Sequence, residues 1–334
     1  MKAIVFEKFG EPAEVLQVRD LPLPEPGRGA VRVRMLASPI NPSELSVVRG
    51  QYGFRPALPA TPGFEGAGVI DAVGPGLLAK VRGLKSGRRV AVISSSGGNW
   101  QEYVCVSARN VVPAPAGLAD EQIATFFVNP ATALAMVRLV LKVPAGAWLL
   151  QSAAGSALGR MVIRLGRRDG FRTINVVRRR ETALELRRLG ADETICTAEE
   201  KLEERVRSLT AGQGVPYALD AVGGETASAL VRSLAPGGRL LVYGTLSREP
   251  MTIDSRSLIT RDACVAGFWL SQWTARQRVL TMLKLFRQIS ELLKAGVLAS
   301  EVAAFVPLEQ VQSAVRQAEM PGRSGKILLR IGSA

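Results

Sequence analysis

The spacing of apolar residues along the chain changes near residue 120. Before this point, short segments alternate between apolar and polar side chains, or form brief apolar runs between glycines and prolines. Alternation with a period of two is typical of β-strands. Such strands are predicted at residues 31–35, 66–74, 89–92 and 102–106. The first 120 residues are therefore expected to form a compact β-rich domain.

From about residue 121 onward, apolar strands alternate with segments of helical spacing. Strands are predicted at residues 148–150, 173–177, 217–222 and 238–244. Residues 184–189 have helical spacing and are followed by Gly190, a residue type that often ends a helix. Buried strands that are separated by helices indicate a parallel sheet.

The last part of the chain combines a long helix with two strand segments. An amphipathic helix is predicted at residues 276–295, and strand segments follow at residues 306–308 and 326–329. We expect this tail to return to the first domain. The predicted domains are a discontinuous β-rich domain, residues 1–120 and 274–334, and an α/β domain, residues 121–273.

A tight turn of small residues follows the strand at residues 148–150. The turn and the start of the next helix contain Gly155, Ser156, Ala157, Leu158 and Gly159. Strand, turn, helix and second strand form the mononucleotide-binding half of a doubly wound sheet, where the turn backbone approaches a pyrophosphate at the helix N-terminus. Ala154, Ser156 and Gly159 stand where the fingerprint has three glycines, so a turn without a ligand stays an alternative.

Three arginines come at the end of the second strand of this unit, where the adenosine ribose would lie. An acidic residue there would bind a 2′-hydroxyl, whereas arginine matches a 2′-phosphate. The sequence therefore predicts NADPH rather than NADH as the cofactor, with Arg178 and Arg180 at the phosphate. Arg179 is expected to point away, because side chains alternate along a strand. A solvated strand end is the alternative.

Other candidate cofactor contacts lie at the carboxyl ends of later strands, the edge where such sheets bind ligands. They are Ala221, Val222, Gly223, Tyr243 and Gly244. Glycines are common at strand ends in any case, so this set depends on the nucleotide-binding interpretation.

The 334-residue chain contains no histidine, which removes the commonest general acid or base and the commonest metal ligand. Cys105, Cys196 and Cys264 have no metal-binding or disulfide spacing, and we expect reduced, mostly buried thiols and no metal site. Any proton transfer must then use tyrosine, a carboxylate, lysine, cysteine or water.

The formal net charge is +14, and the arginines are scattered along the chain. No nucleic-acid partner is expected, because RNA-binding signatures, zinc fingers and basic zippers are absent. The charge indicates either an arginine-rich surface or attraction of polyanions such as NADPH, coenzyme A or an acidic carrier protein. No apolar run is long enough for a membrane span, and residues 1–6 alternate like a strand, so we expect a cytoplasmic protein.

Five motifs follow one family pattern over essentially the whole chain. They lie at residues 38–44, 49–56, 128–133, 173–178 and the tryptophan-rich segment 267–273. With them the chain resembles the medium-chain dehydrogenase/reductase superfamily, and within it the zinc-free 2-enoyl thioester reductases of the mitochondrial type. The resemblance implies an α/β fold in which a Rossmann doubly wound parallel sheet is joined to a β-rich, GroES-like catalytic domain.

The resemblance also implies a reaction, the NADPH-dependent reduction of the α,β double bond of an enoyl-CoA or enoyl-acyl carrier protein. Zinc-dependent relatives carry a Gly-His-Glu turn, but this chain has Gly63, Phe64 and Glu65, and phenylalanine cannot bind zinc. A zinc-free quinone or enone reductase and a non-catalytic NADPH-binding protein are the alternatives. Acyl chain length, the choice between CoA and carrier protein, and the pathway stay open.

Site residues in the first domain follow from the same resemblance. Tyr52, in a loop between glycines and prolines, would be the catalytic hydrogen-bond donor or acid, unless it only anchors its loop. Asn41 would be a second polar group at the pocket, with an Asx turn before proline as the alternative. Lys326 would lie near the cofactor, and Glu65 is expected to be structural.

In the second domain, Thr132 would lie at a helix start near the nicotinamide carboxamide, unless it only caps the helix. Phe268 and Trp269 would line the nicotinamide or acyl pocket, or serve only as core aromatics. The family often has asparagine where this chain has Gly155, and its mitochondrial members have a transit peptide. The apolar strand at residues 264–269 could pair edge to edge, and we expect a homodimer.

Overall fold

The computed structural model describes residues 1–332 and divides into two compact units. The first consists of Met1–Asn129 together with the chain from Phe286 onward, and the second is Pro130–Leu285. Both boundaries fall later in the chain than the expected positions after residues 120 and 273. Helices run across both boundaries, and a change of sequence pattern does not reveal where within a helix one unit ends.

The N-terminal part of the first unit is built mainly of strands. Its elements are β1 (Lys2–Val5), α1 (Pro12–Val15), β2 (Gln17–Asp20), β3 (Ala30–Pro39), α2 (Pro42–Val48), β4 (Glu65–Val73), α3 (Leu78–Val81), β5 (Arg89–Ile93), β6 (Tyr103–Ser107), β7 (Val111–Pro113) and α4 (Asp120–Ala124).

The second unit alternates strands and helices. Its elements, including the two helices at its boundaries, are α5 (Val128–Leu134), β8 (Trp148–Gln151), α6 (Ala157–Asp169), β9 (Arg172–Val177), α7 (Arg180–Leu189), β10 (Glu193–Cys196), α8 (Leu202–Leu209), β11 (Val215–Asp220), α9 (Gly224–Arg232), β12 (Leu234–Val242), α10 (Ser255–Arg261), β13 (Cys264–Gly267), α11 (Leu270–Ala275) and α12 (Val279–Lys294).

The six strands of the second unit form one parallel sheet in the order β10-β9-β8-β11-β12-β13. The order reverses direction next to β8, so the carboxyl ends of β8 and β11 border a crevice of the kind that holds nucleotides in doubly wound sheets. Strands β9 and β8 are almost completely buried, as expected for a sheet covered on both faces.

The chain ends with β14 (Val302–Pro307), α13 (Val311–Glu319) and β15 (Lys326–Arg330). Strand β15 pairs antiparallel with β3, and the register places Leu328 opposite Pro39. The resulting sheet has the order β14-β15-β3-β4-β5-β7, with β6 paired to β3. The C-terminal strands therefore join the sheet of β3, which fixes Lys326 close to the residues that follow β3.

Buried apolar side chains form separate cores in the two units. In the first unit they include Phe6, Leu45, Trp100, Val306 and Leu329 in one cluster, and Val31, Val33, Val90, Val104 and Val111 in another. In the second unit they include Leu150, Ile174, Ala218, Leu230 and Leu240.

The structure corrects three local expectations. The long amphipathic helix begins at Val279 rather than at residue 276, because α11 and a short break precede it. Thr132 lies inside α5, which begins at Val128, and not at a helix start. Of the three free cysteines only Cys196 is buried, whereas Cys264 is exposed at the start of β13.

Candidate functional site

The turn between β8 and α6 has the backbone geometry of an anion-binding helix start. Ser156 is the N-cap of α6, and its hydroxyl accepts a hydrogen bond from the Gly159 amide at 3.1 Å. The remaining amides of the first helical turn, including those of Ala157 and Leu158, have no partner within the helix, and the helix dipole favours an anion there. Ala153 makes the turn possible by adopting a φ of +46°.

Two glycines bring this turn close to its neighbours. A Cβ atom on Gly159 would lie 2.5 Å from the Ala154 carbonyl oxygen, and one on Gly155 would lie 2.6 Å from the Thr182 Cγ2 atom. Arg160, which is buried, donates to the Gly155 carbonyl oxygen at 3.2 Å and pairs with Glu185 at 2.6 Å. Sequence reasoning missed Arg160, because an arginine in a helix gives no sign that it bonds back to a turn.

Replacing Gly159 with alanine is expected to destabilise the second unit. The added methyl would meet backbone atoms of Ala154, which cannot move without shifting the turn. Overpacking of this kind costs about 1–3 kcal/mol. Chemical denaturation should show this loss, while Gly27→Ala, at a glycine with open space around it, should change stability by less than about 0.5 kcal/mol. Equal stability of both variants would contradict the close packing.

The three arginines do not end a strand, as the sequence had indicated. Strand β9 ends at Val177, and Arg180 is already the first residue of α7. Side-chain alternation along a strand therefore does not apply to Arg179, and the reason for expecting this residue to point away is wrong. The Arg179 guanidinium donates to the Thr182 hydroxyl at 3.2 Å, and Thr182 packs against Gly155 of the turn.

Arg180 lies in a different direction. Its guanidinium is 4.0 Å from the Glu199 carboxylate, which follows β10, and the Arg180 side chain is 74% exposed. Arg178 is exposed directly after β9. The geometry thus places Arg179 beside the phosphate turn and Arg180 beside the next strand.

A buried hydrogen-bond network holds the carboxyl end of β11. The Ser152 hydroxyl donates to Asp220 Oδ1 at 2.6 Å and accepts from the Ala221 amide at 2.9 Å. Asp220 in turn accepts the amides of Val222 at 3.1 Å and Gly223 at 2.8 Å. Three expected cofactor contacts are therefore fixed by Ser152 and Asp220, which sequence reasoning missed although the aspartate directly precedes them.

The carboxyl end of β12 lies beside this network. The Tyr243 amide donates to the Asp220 carbonyl oxygen at 2.8 Å, and a Cβ atom on Gly244 would lie 2.9 Å from the Ala221 carbonyl oxygen. The Tyr243 hydroxyl is buried and has no hydrogen-bond partner among residues 1–332. Burial, and secondarily the nearby Asp220 charge, raises the pKa of Tyr243.

The two aromatic residues after β13 differ in their surroundings. Phe268 is buried, its amide donates to the Val242 carbonyl oxygen at 2.7 Å, and its ring lies 6.2 Å from that of Trp273. These contacts give Phe268 a packing role. Trp269 is half-buried and is the N-cap residue of α11.

The carboxyl-end residues of the second unit fit a phosphorylated dinucleotide. The glycine at position 155 leaves room that a side chain would fill, the α6 amides suit a pyrophosphate, and exposed arginines suit a 2′-phosphate. The buried, unpartnered Tyr243 hydroxyl is a further polar group next to this edge. A nicotinamide cofactor bound there would supply a hydride.

In the first unit, Tyr52 belongs to an aromatic group after α2. Its half-buried ring lies 5.5 Å from the Phe54 ring, edge-on, and 5.6 Å from the Phe64 ring. The segment begins at Gly50, whose φ is +70°. These contacts hold the tyrosine ring in place, and they suit both a catalytic role and the anchoring alternative.

Four buried polar side chains, here named the buried charged cluster, lie where β4 and β15 approach the start of α2. Asn41 is 2%, Glu44 1%, Glu65 2% and Lys326 5% exposed. The Asn41 amide nitrogen donates to Glu44 at 3.1 Å and to Glu65 at 3.2 Å, and its oxygen accepts from the Lys326 ammonium. Asn41 thus bonds to both carboxylates and to Lys326. A place for Asn41 at the pocket and for Lys326 near the cofactor stays a prediction.

Glu65 anchors the start of α5. Its Oε2 atom accepts the amides of Phe127 and Val128, both at 2.9 Å. Its burial raises its pKa, while Lys326 and these amides act in the opposite direction. Burial lowers the pKa of Lys326, because it disfavours the charged ammonium just as it disfavours the charged carboxylate. These contacts agree with the structural role expected for Glu65.

Sequence reasoning also missed Glu44, although a signal was present. Asparagine followed by proline and, three positions later, glutamate is a helix-capping pattern. The Asn41 amide indeed donates to Glu44 Oε2 at 2.8 Å at the start of α2. Burial, reinforced by Glu65, raises the pKa of Glu44 to about 7.

In the turn of Gly63, Phe64 and Glu65, phenylalanine stands where the zinc-dependent relatives have histidine. The Phe64 ring is buried in the first core, and its amide donates to Glu44 at 3.1 Å. Residues 1–332 contain no group of three or more histidine, cysteine, aspartate or glutamate side chains that could hold a metal ion. Within the same residues, no helix combines the length and apolarity needed to cross a membrane.

Comparison with known proteins adds family matches and similar structures to these geometric observations. The alcohol dehydrogenase GroES-like domain family matches residues 27–116, and the zinc-binding dehydrogenase family matches residues 157–288. Human mitochondrial enoyl-[acyl-carrier-protein] reductase is 34% identical, over 98% of this chain and 88% of that protein. A putative NADPH:quinone reductase from Bacillus thuringiensis superposes with a TM-score of 0.92 at 34% identity, covering 99% of both chains.

A complex of Etr1p with NADP and crotonyl-CoA has a TM-score of 0.85 at 26% identity, covering 98% of this chain and 99% of that one. The chain therefore belongs to the medium-chain dehydrogenase/reductase superfamily, and its fold joins a Rossmann sheet to a GroES-like domain. It is an oxidoreductase whose sequence is similar, over nearly its full length, to the mitochondrial enoyl-[acyl-carrier-protein] reductases.

Proposed function

We propose that this protein reduces the α,β double bond of a 2-enoyl thioester with NADPH. The observation that carries the proposal is the fixed Tyr52 segment after α2, in a chain with 34% identity to enoyl-[acyl-carrier-protein] reductases over nearly its whole length. The Etr1p complex with NADP and crotonyl-CoA, which has the same fold, supports this substrate class. The net charge of +14 also suits anionic carriers such as coenzyme A.

The second unit would hold NADPH at the carboxyl ends of its strands. The turn residues from Gly155 to Gly159 would contact the pyrophosphate, and Arg178 with Arg179 would bind the 2′-phosphate. The ends of β11 and β12, fixed through Asp220, would form the wall beside the cofactor. When bound, NADPH supplies the hydride that the β-carbon of the enoyl group accepts.

The protein itself must stabilise and protonate the product of hydride addition. An enolate develops on the thioester, and its oxygen needs a hydrogen-bond donor. Tyr52 would provide this donor, and a proton from its hydroxyl or from water would complete the new C–H bond at the α-carbon. The tyrosine would regain its proton from solvent. The absence of histidine from the chain and the aromatic contacts that hold this ring support the assignment.

A quinone or enone reductase is the second candidate. The Bacillus thuringiensis protein that superposes at a TM-score of 0.92 is described as a putative NADPH:quinone reductase. Quinone reduction depends less on a placed proton donor, so the same fold could support it without Tyr52. A non-catalytic NADPH-binding protein is the third candidate.

An absorbance assay separates these candidates. NADPH oxidation is followed with crotonyl-CoA, with a longer trans-2-enoyl-CoA and with a quinone, and each reaction is repeated with NADH. Turnover of an enoyl-CoA with NADPH alone is the expected result. Turnover of the quinone alone would establish the second candidate. No turnover with any of them, despite tight NADPH binding, would overturn the proposed reaction.

We also propose a homodimer formed through β13. This strand is at the edge of the six-stranded sheet, and an unpaired edge is a template for another strand. Exposed apolar side chains nearby in the chain, Val279 and Leu280, add apolar surface to the second unit. Light scattering on a gel-filtration column should give twice the chain mass, and Cys264→Arg should weaken the dimer. A monomer at all concentrations would refute the dimer.

A further inference from the structure

The hydrogen-bond partners of Glu44 are nearly all N–H donors. Glu44 Oε2 accepts the Asn41 backbone amide at 2.8 Å and the Ser43 hydroxyl at 3.4 Å. Glu44 Oε1 accepts the Asn41 side-chain amide and the Phe64 backbone amide, both at 3.1 Å. An ionised carboxylate can satisfy all of these donors, because it only accepts. A proton on the carboxyl group uses one of its acceptor sites, so the neutral form binds these donors less completely.

Two physical routes connect Glu44 to Tyr52. The first runs through Phe64, whose amide binds Glu44 and whose ring lies 5.6 Å from the Tyr52 ring. The second runs along α2, because Glu44 lies in the first turn of this short helix. The helix ends at Val48, and the amides of Gly50 and Gln51 donate back to its last carbonyl groups, both at 2.9 Å. The Tyr52 segment therefore starts from a helix that Glu44 fixes.

Charged groups face Glu44 from two strands: Glu65 belongs to β4, and Lys326 begins β15. Burial, and to a smaller extent the charge of Arg323, lowers the pKa of Lys326. Burial is the largest influence on Glu44 and raises its pKa to about 7. The chain has no histidine, so no imidazole titrates in the same range. Glu44 should therefore change its charge in the physiological pH range, inside the buried charged cluster.

We propose that Glu44 is a positioning residue for Tyr52, because its carboxylate fixes Asn41 at the start of α2 and the backbone of Phe64, and these hold the Tyr52 ring. Glu44 touches neither substrate nor cofactor in this role. The inference rests on the proposed function only where catalysis is measured. The ordering of the Tyr52 segment is a separate prediction that holds for any reaction.

The first experiment compares Glu44→Gln with Glu102→Gln by amide hydrogen exchange. Glutamine at position 44 presents an N–H₂ group to the N–H donors, whereas Glu102 accepts the amide of Lys2, the first residue of β1, at 2.7 Å. Exchange at Gly50 and Gln51 should become about tenfold faster in Glu44→Gln only. Unchanged exchange in a folded Glu44→Gln protein would overturn the proposal.

The second experiment tests whether Glu44 acts through Tyr52. With an enoyl thioester, Glu44→Gln should lower kcat about tenfold and change the KM for NADPH less than twofold, and Glu44→Asp should recover part of the loss. In the Tyr52→Phe background, Glu44→Gln should have almost no further effect. Independent, multiplicative effects would overturn the proposal. Absence of enoyl turnover in the wild-type protein would refute the proposed function but leave the exchange experiment decisive.

The wild-type protein provides a test that needs no variant, in case Glu44→Gln does not fold. Because burial raises the pKa of Glu44 to about 7, Glu44 should lose its proton as the pH increases through this range. After correction for intrinsic exchange rates, the protection of Gly50 and Gln51 relative to β6 amides should rise about tenfold as the pH increases through 7. A constant ratio across this range would overturn the proposal.

Discussion

Replacing Tyr52 with phenylalanine should lower kcat for a 2-enoyl thioester by at least about 100-fold, the usual contribution of a placed proton donor or oxyanion donor. The change removes only the hydroxyl, and the ring can keep its contacts with Phe54 and Phe64 at 5.5 and 5.6 Å. Stability should therefore change little, and the KM for NADPH should stay within about twofold. Steady-state kinetics with crotonyl-CoA and a thermal unfolding curve measure these quantities.

The matched control for this variant is Tyr103→Phe, the same change at a half-buried tyrosine that begins β6. It should leave kcat within about twofold. A quinone, if it is also reduced, should be turned over at nearly the wild-type rate by Tyr52→Phe. Wild-type turnover of the enoyl thioester by Tyr52→Phe would remove the tyrosine from the chemistry and leave only its anchoring role.

Replacing both Arg178 and Arg179 with glutamine should remove most of the preference for NADPH. A hydrogen bond to a charged group contributes about 1.5–3 kcal/mol, and each 1.4 kcal/mol is a factor of ten. The double variant should lose about 100-fold or more in kcat/KM for NADPH and less than about threefold for NADH. Calorimetric binding of 2′,5′-ADP and 5′-AMP gives the same comparison without any turnover.

Single variants distinguish the structure from the sequence-based expectation. The contact of Arg179 with Thr182 beside the phosphate turn indicates that Arg179→Gln should weaken 2′,5′-ADP binding about tenfold or more. Arg180→Gln loses only the 4.0 Å approach to Glu199 and should change the affinity for 2′,5′-ADP less than about threefold. Arg168→Gln, at the end of α6, should also change this affinity less than about threefold. A larger effect at Arg180 than at Arg179 would restore the original assignment.

Much of the fold was predictable because it depends on short-range patterns. Apolar runs bounded by small residues located β8, β9, β11 and β12, and Gly190 marked the end of α7 with its φ of +99°. The turn before α6 was recognisable because close backbone packing requires a small residue at Gly159. These features depend on local sequence alone, so one chain was sufficient to find them.

Other features depend on contacts that local sequence does not encode. The strand was predicted to end at Val177, as β9 does, but side-chain alternation was applied to the arginines beyond it. Arg180 already begins α7, and this reversed the assignment of Arg179 and Arg180. The contact of Lys326 with Asn41 joins residues 285 positions apart through the pairing of β15 with β3. The resemblance to a family indicated that both residues matter, but it did not indicate that they bind each other.

The raised pKa of Glu44 has a thermodynamic consequence for the whole protein. The unfolded chain releases this proton near the ordinary value of 4.5, whereas the folded protein keeps it until about pH 7. Between these values the folded state binds more protons, so the free energy of unfolding falls as the pH rises, by about 3 kcal/mol in total for this group. The same ionisation completes the bonds that order the Tyr52 segment. The contribution of Glu44 to stability should therefore be largest in mild acid, and its contribution to the order of the Tyr52 segment should be largest above pH 7.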